Sequence, residues 1–134
     1  MATTVPDDVL ERRRILYARE GKARIMAAAQ SLLQAGRIAE ALEFLERAKD
    51  PALLADAKRR SVDAGDAFGL KRACSILDAD ASPDEWRALA ARAEAKERWF
   101  DAVNAYERAG DVEKSDEVRA NRCPDYRPFK PANK

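Results

Sequence analysis

Residues 84–109 read DEWRALAARAEAKERWFDAVNAYERA, and two amphipathic helical patterns meet inside this stretch. Trp86, Leu89, Ala90 and Ala93 recur at the three- and four-residue spacing of one helix face, as do Trp99, Ala102, Val103, Tyr106 and Ala109 on a second. Only a few polar residues separate the two patterns, so the helices must turn back on each other as an antiparallel pair. The start is marked by Ser82 as N-cap, Pro83 at the first helical position and Glu85 completing a capping box; Gly110 and Asp111 mark the end.

The same layout recurs upstream. Ile25, Met26, Ala29, Leu32 and Leu33 predict a helix over 22–35 closed by Gly36, and Ile38, Ala41, Leu42, Leu45 and Ala48 a second one stopped by Asp50 and Pro51. A weaker pair follows: Leu53, Leu54 and Ala57, a turn at Ala64–Asp66, then Ala67, Leu70, Ala73, Cys74 and Leu77. Ahead of these, Thr4, Pro6, Asp7 and Asp8 open an expected helix to about Glu20, with Val9, Leu10, Leu16 and Tyr17 on a face that Arg13 interrupts. Behind them, residues 112–121 predict a terminal helix with Val112 and Val118 as its sizeable apolar residues. The expected organisation is a flexible segment over 1–5, one domain over 6–121, and a proline-rich extended or disordered tail over 122–134.

Composition fits this reading. Charged residues form 37% of the 134 and glycine numbers only 5, which suits helices with a heavily solvated surface. A net charge of +1 provides no global field for nucleic acid or an acidic membrane. Cys74 and Cys123 lack the close pairing of zinc or redox motifs, and Cys74 is expected in the core. The acidic N-terminal stretch MATTVPDDVL is unlike a secretion signal and no window approaches a membrane span, so a cytoplasmic protein is expected. With no histidine, no glycine-rich phosphate loop, no nucleophile motif and no metal-ligand cluster, no catalytic residue, cofactor or metal is expected.

Setting the hairpins in register on their turns aligns Gly36, Gly65 and Glu97, at separations of 65 − 36 = 29 and 97 − 65 = 32 residues. Ile25, Leu54 and Trp86 then coincide on the first helices. On the second helices three sets coincide: Ala41, Leu70 and Ala102; Leu45, Cys74 and Tyr106; Ala48, Leu77 and Ala109. Self-similarity at this period means stacked hairpins, since one hairpin cannot bury both its faces. The chain here resembles the tetratricopeptide-repeat family. Trp86, Leu89, Ala90, Trp99, Ala102, Tyr106 and Ala109 match its motif, while Ala93 replaces its first-helix tyrosine and Lys114 its closing proline. The hairpin 22–48 matches through Ala28, Ala29, Leu32, Ala41, Leu45 and Ala48, and the middle one mainly in layout. The fold implied is all-α: antiparallel helical hairpins stacked as a short right-handed α-solenoid of about seven to eight helices, with a plain helical bundle as the alternative.

Members of that family bind proteins or peptides along a groove lined by the first helix of each hairpin. The resemblance places Met26, Gln30, Leu33 and Gln34, then Ala55, Arg59 and Asp63, then Arg87, Ala91 and Glu94 along it. The cations with which one subset grips a terminal carboxylate are absent, Met26, Gln30, Ala52 and Asp56 standing at those places. An adaptor or scaffold with a protein or peptide partner is therefore expected, with self-association through the end helices as a further mode. The alternative is a nucleic-acid binder using Arg12–Arg14, Lys58–Arg60, Lys71 and Arg72, clusters that acidic residues interrupt.

Overall fold

A computed structural model describes residues 21–123 together with Val9, Leu10 and Arg13. Those three residues are helical and exposed. The rest of the expected helix from Thr4 to Glu20, the segment 1–5, and the tail from Pro124 onward lie outside the described residues. Between Lys22 and Arg122 the chain forms seven helices: α1 (Lys22–Gln34), α2 (Ile38–Ala48), α3 (Pro51–Ala64), α4 (Ala67–Leu77), α5 (Pro83–Ala95), α6 (Trp99–Ala109) and α7 (Val112–Arg122). No strand occurs among the described residues, and none of their helices is long and apolar enough to cross a membrane.

Helix ends follow the local sequence. Ser82 accepts from the Glu85 N–H at 3.1 Å while the Glu85 carboxylate accepts from the Ser82 N–H at 2.9 Å, so the capping box forms in full. Helix α2 ends at Ala48 on the left-handed Lys49, not at Asp50 and Pro51; these two start α3, where the Asp50 carboxylate accepts from the Leu53 N–H at 2.9 Å and Pro51 occupies the first helical position.

The repeat is visible in the backbone itself. Left-handed conformations occur at Gly36, Gly65 and Glu97 (φ 78, 69 and 59°) and again at Lys49, Asp78 and Gly110 (φ 51, 58 and 87°). The differences 49 − 36, 78 − 65 and 110 − 97 are each 13, so every second helix is bracketed in the same way. The three extra residues of the longer period therefore fall between Asp78 and Glu97, where the connection Ala79–Ser82 delays the start of α5. After α1, α4, α5 and α6 the chain closes identically: the N–H groups of Arg37, Ala79, Arg98 and Asp111 reach back to the carbonyls of Leu32, Cys74, Ala93 and Tyr106 at 2.9, 3.1, 2.8 and 2.9 Å. This six-to-one bond satisfies a carbonyl that the helix leaves open, and it requires the left-handed residue before it.

The described residues cluster as two compact units. One takes the chain up to Ser61 together with Phe68–Ala81, the other Val62–Ala67 and the chain from Ser82 onward. In the first, α1 packs on α2, burying Ile25, Ala28, Ala29, Leu32 and Leu33 with Ala41, Leu42, Phe44 and Leu45. Each fully buried leucine or phenylalanine there contributes ~1.5–3 kcal/mol through burial. Leu54, Ala57, Leu70, Ala73 and Cys74 extend the same core. Arg60 of α3 donates to the Leu33 carbonyl at 2.9 Å, and Arg72 of α4 donates to the Glu46 carboxylate of α2 at 2.8 Å.

In the second unit α6 packs on both α5 and α7. Its core is Trp86, Leu89, Ala90 and Ala93 with Ala102, Val103, Ala105 and Tyr106. From α7 only Ser115 and Val118 are buried, whereas Val112, the other sizeable apolar residue of this helix, is 61% exposed. Val112 is the first residue of its helix and projects past the face that Ser115 and Val118 share. Gly65 is fitted closely here: a Cβ at that position would lie 2.7 Å from the Ala93 Cα and 2.8 Å from its backbone nitrogen. Arg98 donates to the Ala64 carbonyl at 3.4 Å, bringing positive charge to the C-terminal end of α3.

Candidate functional site

The polar residues that the sequence singled out fall into three local settings. On α1, Gln30 and Gln34 are exposed and Met26 is half-buried, while Leu33 is fully buried. Leu33 is thereby part of the core and does not line a surface. Helical geometry explains the split: positions 26, 30 and 34 advance by four residues along one edge, whereas 33 follows 25, 29 and 32 onto the packed face.

On α3, Arg59 projects into solvent with 68% of its side chain exposed, and it pairs with Asp56 one turn earlier. Asp56 also accepts from Arg60 at 3.0 Å. Partial burial alone would raise the Asp56 carboxyl; the two guanidiniums outweigh it and hold the group below the usual carboxylate range. Arg60 then bridges to the α1 carbonyl of Leu33, so the first unit brings α1 and α3 together through one arginine.

The second unit contains Asp63, Arg87 and Glu94. Asp63 is exposed on the last turn of α3. Arg87 donates to Asp111 at 2.8 and 3.2 Å and to Asp84 at 2.8 Å. Asp111 stands at the N-cap of α7, yet its carboxylate takes the Arg87 fork instead of capping the helix. The hydrogen bond from Arg87 holds Asp111 below the ordinary carboxylate range.

Glu94 is half-buried and accepts from the Tyr106 hydroxyl, with the Lys114 ammonium 3.9 Å away. Burial, reinforced by the Glu94 carboxylate, raises the Tyr106 phenol above its usual range. Beside this pair lies an open recess of about 550 Å³ lined by Gly110, Asp111, Val112, Glu113, Lys114 and Glu117.

The other basic residues considered for nucleic acid are engaged in part: Arg59 and Arg60 share Asp56, and Arg72 pairs with Glu46. Arg13 is exposed on its helical turn, and Arg12 and Arg14 lie outside the described residues. Three aromatics of the second unit carry a cation over the ring: Arg108 on Trp86 at 5.1 Å, Lys114 on Tyr106 at 6.0 Å and Arg122 on Trp99 at 5.0 Å. Trp86 is buried as its periodicity predicts. Trp99, at the first position of α6, is only half-buried, although the guanidinium of Arg122 at the end of α7 lies over its ring.

Comparison with known protein families, with curated proteins and with solved structures finds no match to this chain.

Pairs one helical turn apart, such as Asp56 with Arg59 and Arg60, have a signal in the sequence. Arg87 with Asp111 and Tyr106 with Glu94 do not, since they join residues 24 and 12 positions apart whose meeting depends on how the helices pack.

Proposed function

We propose that this chain is a non-enzymatic interaction module, a divergent tetratricopeptide-like solenoid that receives a protein or peptide partner along the first helices of its hairpins. The observation that carries the reading is the backbone repeat, with left-handed residues at 36, 65 and 97 and again at 49, 78 and 110. A chain that sets three hairpins with the same punctuation supports a stacked array, whose use elsewhere is the display of a shaped helical surface. The bond from Arg60 to the Leu33 carbonyl supports the side-by-side placing of two first helices that such an array needs.

On this reading Gln30, Gln34 and Arg59 offer one polar binding strip, with Met26 as its apolar edge. Asp63, Arg87 and Glu94 offer groups of a second strip; in it Arg87 and Glu94 already hold partners that a ligand must exchange or extend. Binding requires no cofactor and no covalent step. Cys74 and Cys123 are buried thiols, which suits a reducing compartment and supports a cytoplasmic location.

The test is recovery of partners from the native cytosol with the full chain and with Arg59→Glu. Reversing an exposed charge leaves the core untouched, so selective loss of partners from the variant is the expected result. Equal recovery with both would remove the α3 face from the proposal. Size in solution, measured alongside, reports whether end helices add self-association.

A further inference from the structure

The chain leaves α7 at Cys123, which is buried and has a non-helical backbone (φ −146°, ψ 67°). One residue earlier, the Arg122 guanidinium lies 5.0 Å over the Trp99 ring. The point of departure is therefore fixed on the second unit beside the start of α6, where Trp99 is half-buried and Phe100 is 61% exposed. Acidic Glu97 and Asp101 flank this aromatic pair, Asp101 being held by Arg98 at 2.8 Å and Glu97 being exposed.

The residues that follow, 124–134, read PDYRPFKPANK. Prolines at 124, 128 and 131 favour the polyproline II conformation, which has three residues per turn. In that conformation residues three apart share a side. Tyr126 and Phe129 then form an aromatic edge, Arg127 and Lys130 a cationic one, and Pro128 and Pro131 the third. The aromatic edge suits Trp99 and Phe100, and the cationic edge suits Glu97. Tyr126 follows Cys123 by three residues, about 9 Å of chain at the polyproline II rise, so a contact of this segment with the aromatics would be intramolecular, at an effective concentration of roughly millimolar.

We propose that residues 124–134 dock in cis on the start of α6, setting Tyr126 and Phe129 against Trp99 and Phe100. This surface is distinct from the first-helix strips and stands whether or not those bind a partner. The contact occupies an aromatic surface with the chain's own proline-spaced segment, in the mode by which extended proline-rich ligands meet aromatic-lined surfaces.

The experiment follows the two indole N–H resonances of the full chain by two-dimensional NMR, assigned with Trp99→Phe. Truncation after Cys123 is expected to shift the Trp99 resonance and leave that of Trp86, which is buried with Arg108 over its ring, in place. The full-length double variant Tyr126→Ser, Phe129→Ser is expected to reproduce the shift with an intact α7. A Trp99 resonance that stays put in both cases overturns the proposal. So does a Trp99 shift that depends on protein concentration, which assigns the contact to a second copy. A shift of both tryptophans in the double variant also overturns it, because the tail is then acting on the fold of the unit as a whole.

Discussion

The hairpins Lys22–Ala48 and Pro83–Ala109 place similar backbones in different chemical hands. With an offset of 97 − 36 = 61 residues, Leu33 corresponds to Glu94 and Leu45 to Tyr106. The first hairpin buries two leucines at those places; the third sets a tyrosine hydroxyl on a carboxylate. The first has a core of leucine, isoleucine, alanine and Phe44, while the third has fewer large aliphatics and two tryptophans and a tyrosine, each under a cation. The hairpin shape thus depends on where helices stop and on filling the space between them, and aliphatic packing or a satisfied polar pair will serve. A hydrogen bond to a charged group contributes on the order of 1.5–3 kcal/mol where it is shielded, comparable to burying a leucine, although the exposure of Glu94 discounts it toward the lower end.

The sharpest way to break the comparison is to empty the first core. Phe44→Ala removes a fully buried ring and is expected to cost ~3–5 kcal/mol, read as a fall in the denaturant midpoint. A loss below about 1 kcal/mol would mean that this hairpin is not held by its apolar core.

Turn residues give the next effect. Gly36 and Gly65 share a left-handed backbone, but a Cβ at 36 meets nothing within 4 Å while one at 65 meets the Ala93 backbone. Gly36→Ala should cost ~1–2 kcal/mol from conformation alone, and Gly65→Ala more, through an added steric term of about 1–3 kcal/mol. Equal losses for the two glycines in parallel melts would deny the close approach of Gly65 to α5.

Smaller still, Tyr106→Phe deletes the donor to Glu94 and should cost about 1 kcal/mol. The linked pH effect has a definite sign. The folded-state phenol is raised, so its contribution is complete below the unfolded-state tyrosine range near about 10 and is lost as pH rises through the folded value. The Tyr106→Phe chain should therefore lose less stability than the parent between neutral and strongly alkaline pH. At the acid end, Asp56 is lowered on folding, so its contribution is present above the ordinary aspartate range and is lost as pH falls through the folded value. Asp56→Asn should flatten that acid limb.

The smallest change has the opposite direction. Glu97 occupies the left-handed position that Gly36 and Gly65 hold elsewhere, so Glu97→Gly should stabilise by up to about 1 kcal/mol. A loss in the melt would show that the Glu97 side chain does more than tolerate its turn.

How much of this was legible beforehand follows from the range of each interaction. Helix starts and stops were readable at Ser82, Glu85, Pro51, Gly36 and Gly110 because caps and prolines act within one turn. The alignment of Glu97 with two glycines was readable from register, and the shared positive φ gives it a physical meaning. The left-handed Lys49 and Asp78 were not readable, since neither residue type announces that conformation. Periodicity put Leu33 among the apolar residues of α1, but the family resemblance also assigned it to a groove; its complete burial decides between the two. Arg87 and Glu94 were picked out as residues, yet their partners Asp111 and Tyr106 were not, because nothing local links them.

The proposal that the first helices present the working surface is tested most directly by site-specific photocrosslinking within the first unit. A photoreactive residue is placed at Gln34, exposed on α1, or at Glu43, exposed on α2, and each chain is irradiated in native cytosol. Discrete adducts from position 34 that are absent from position 43, and that fall when Arg59→Glu is added, are the expected result. Adducts from position 43 alone, or the same adducts from both positions irrespective of Arg59, would contradict it.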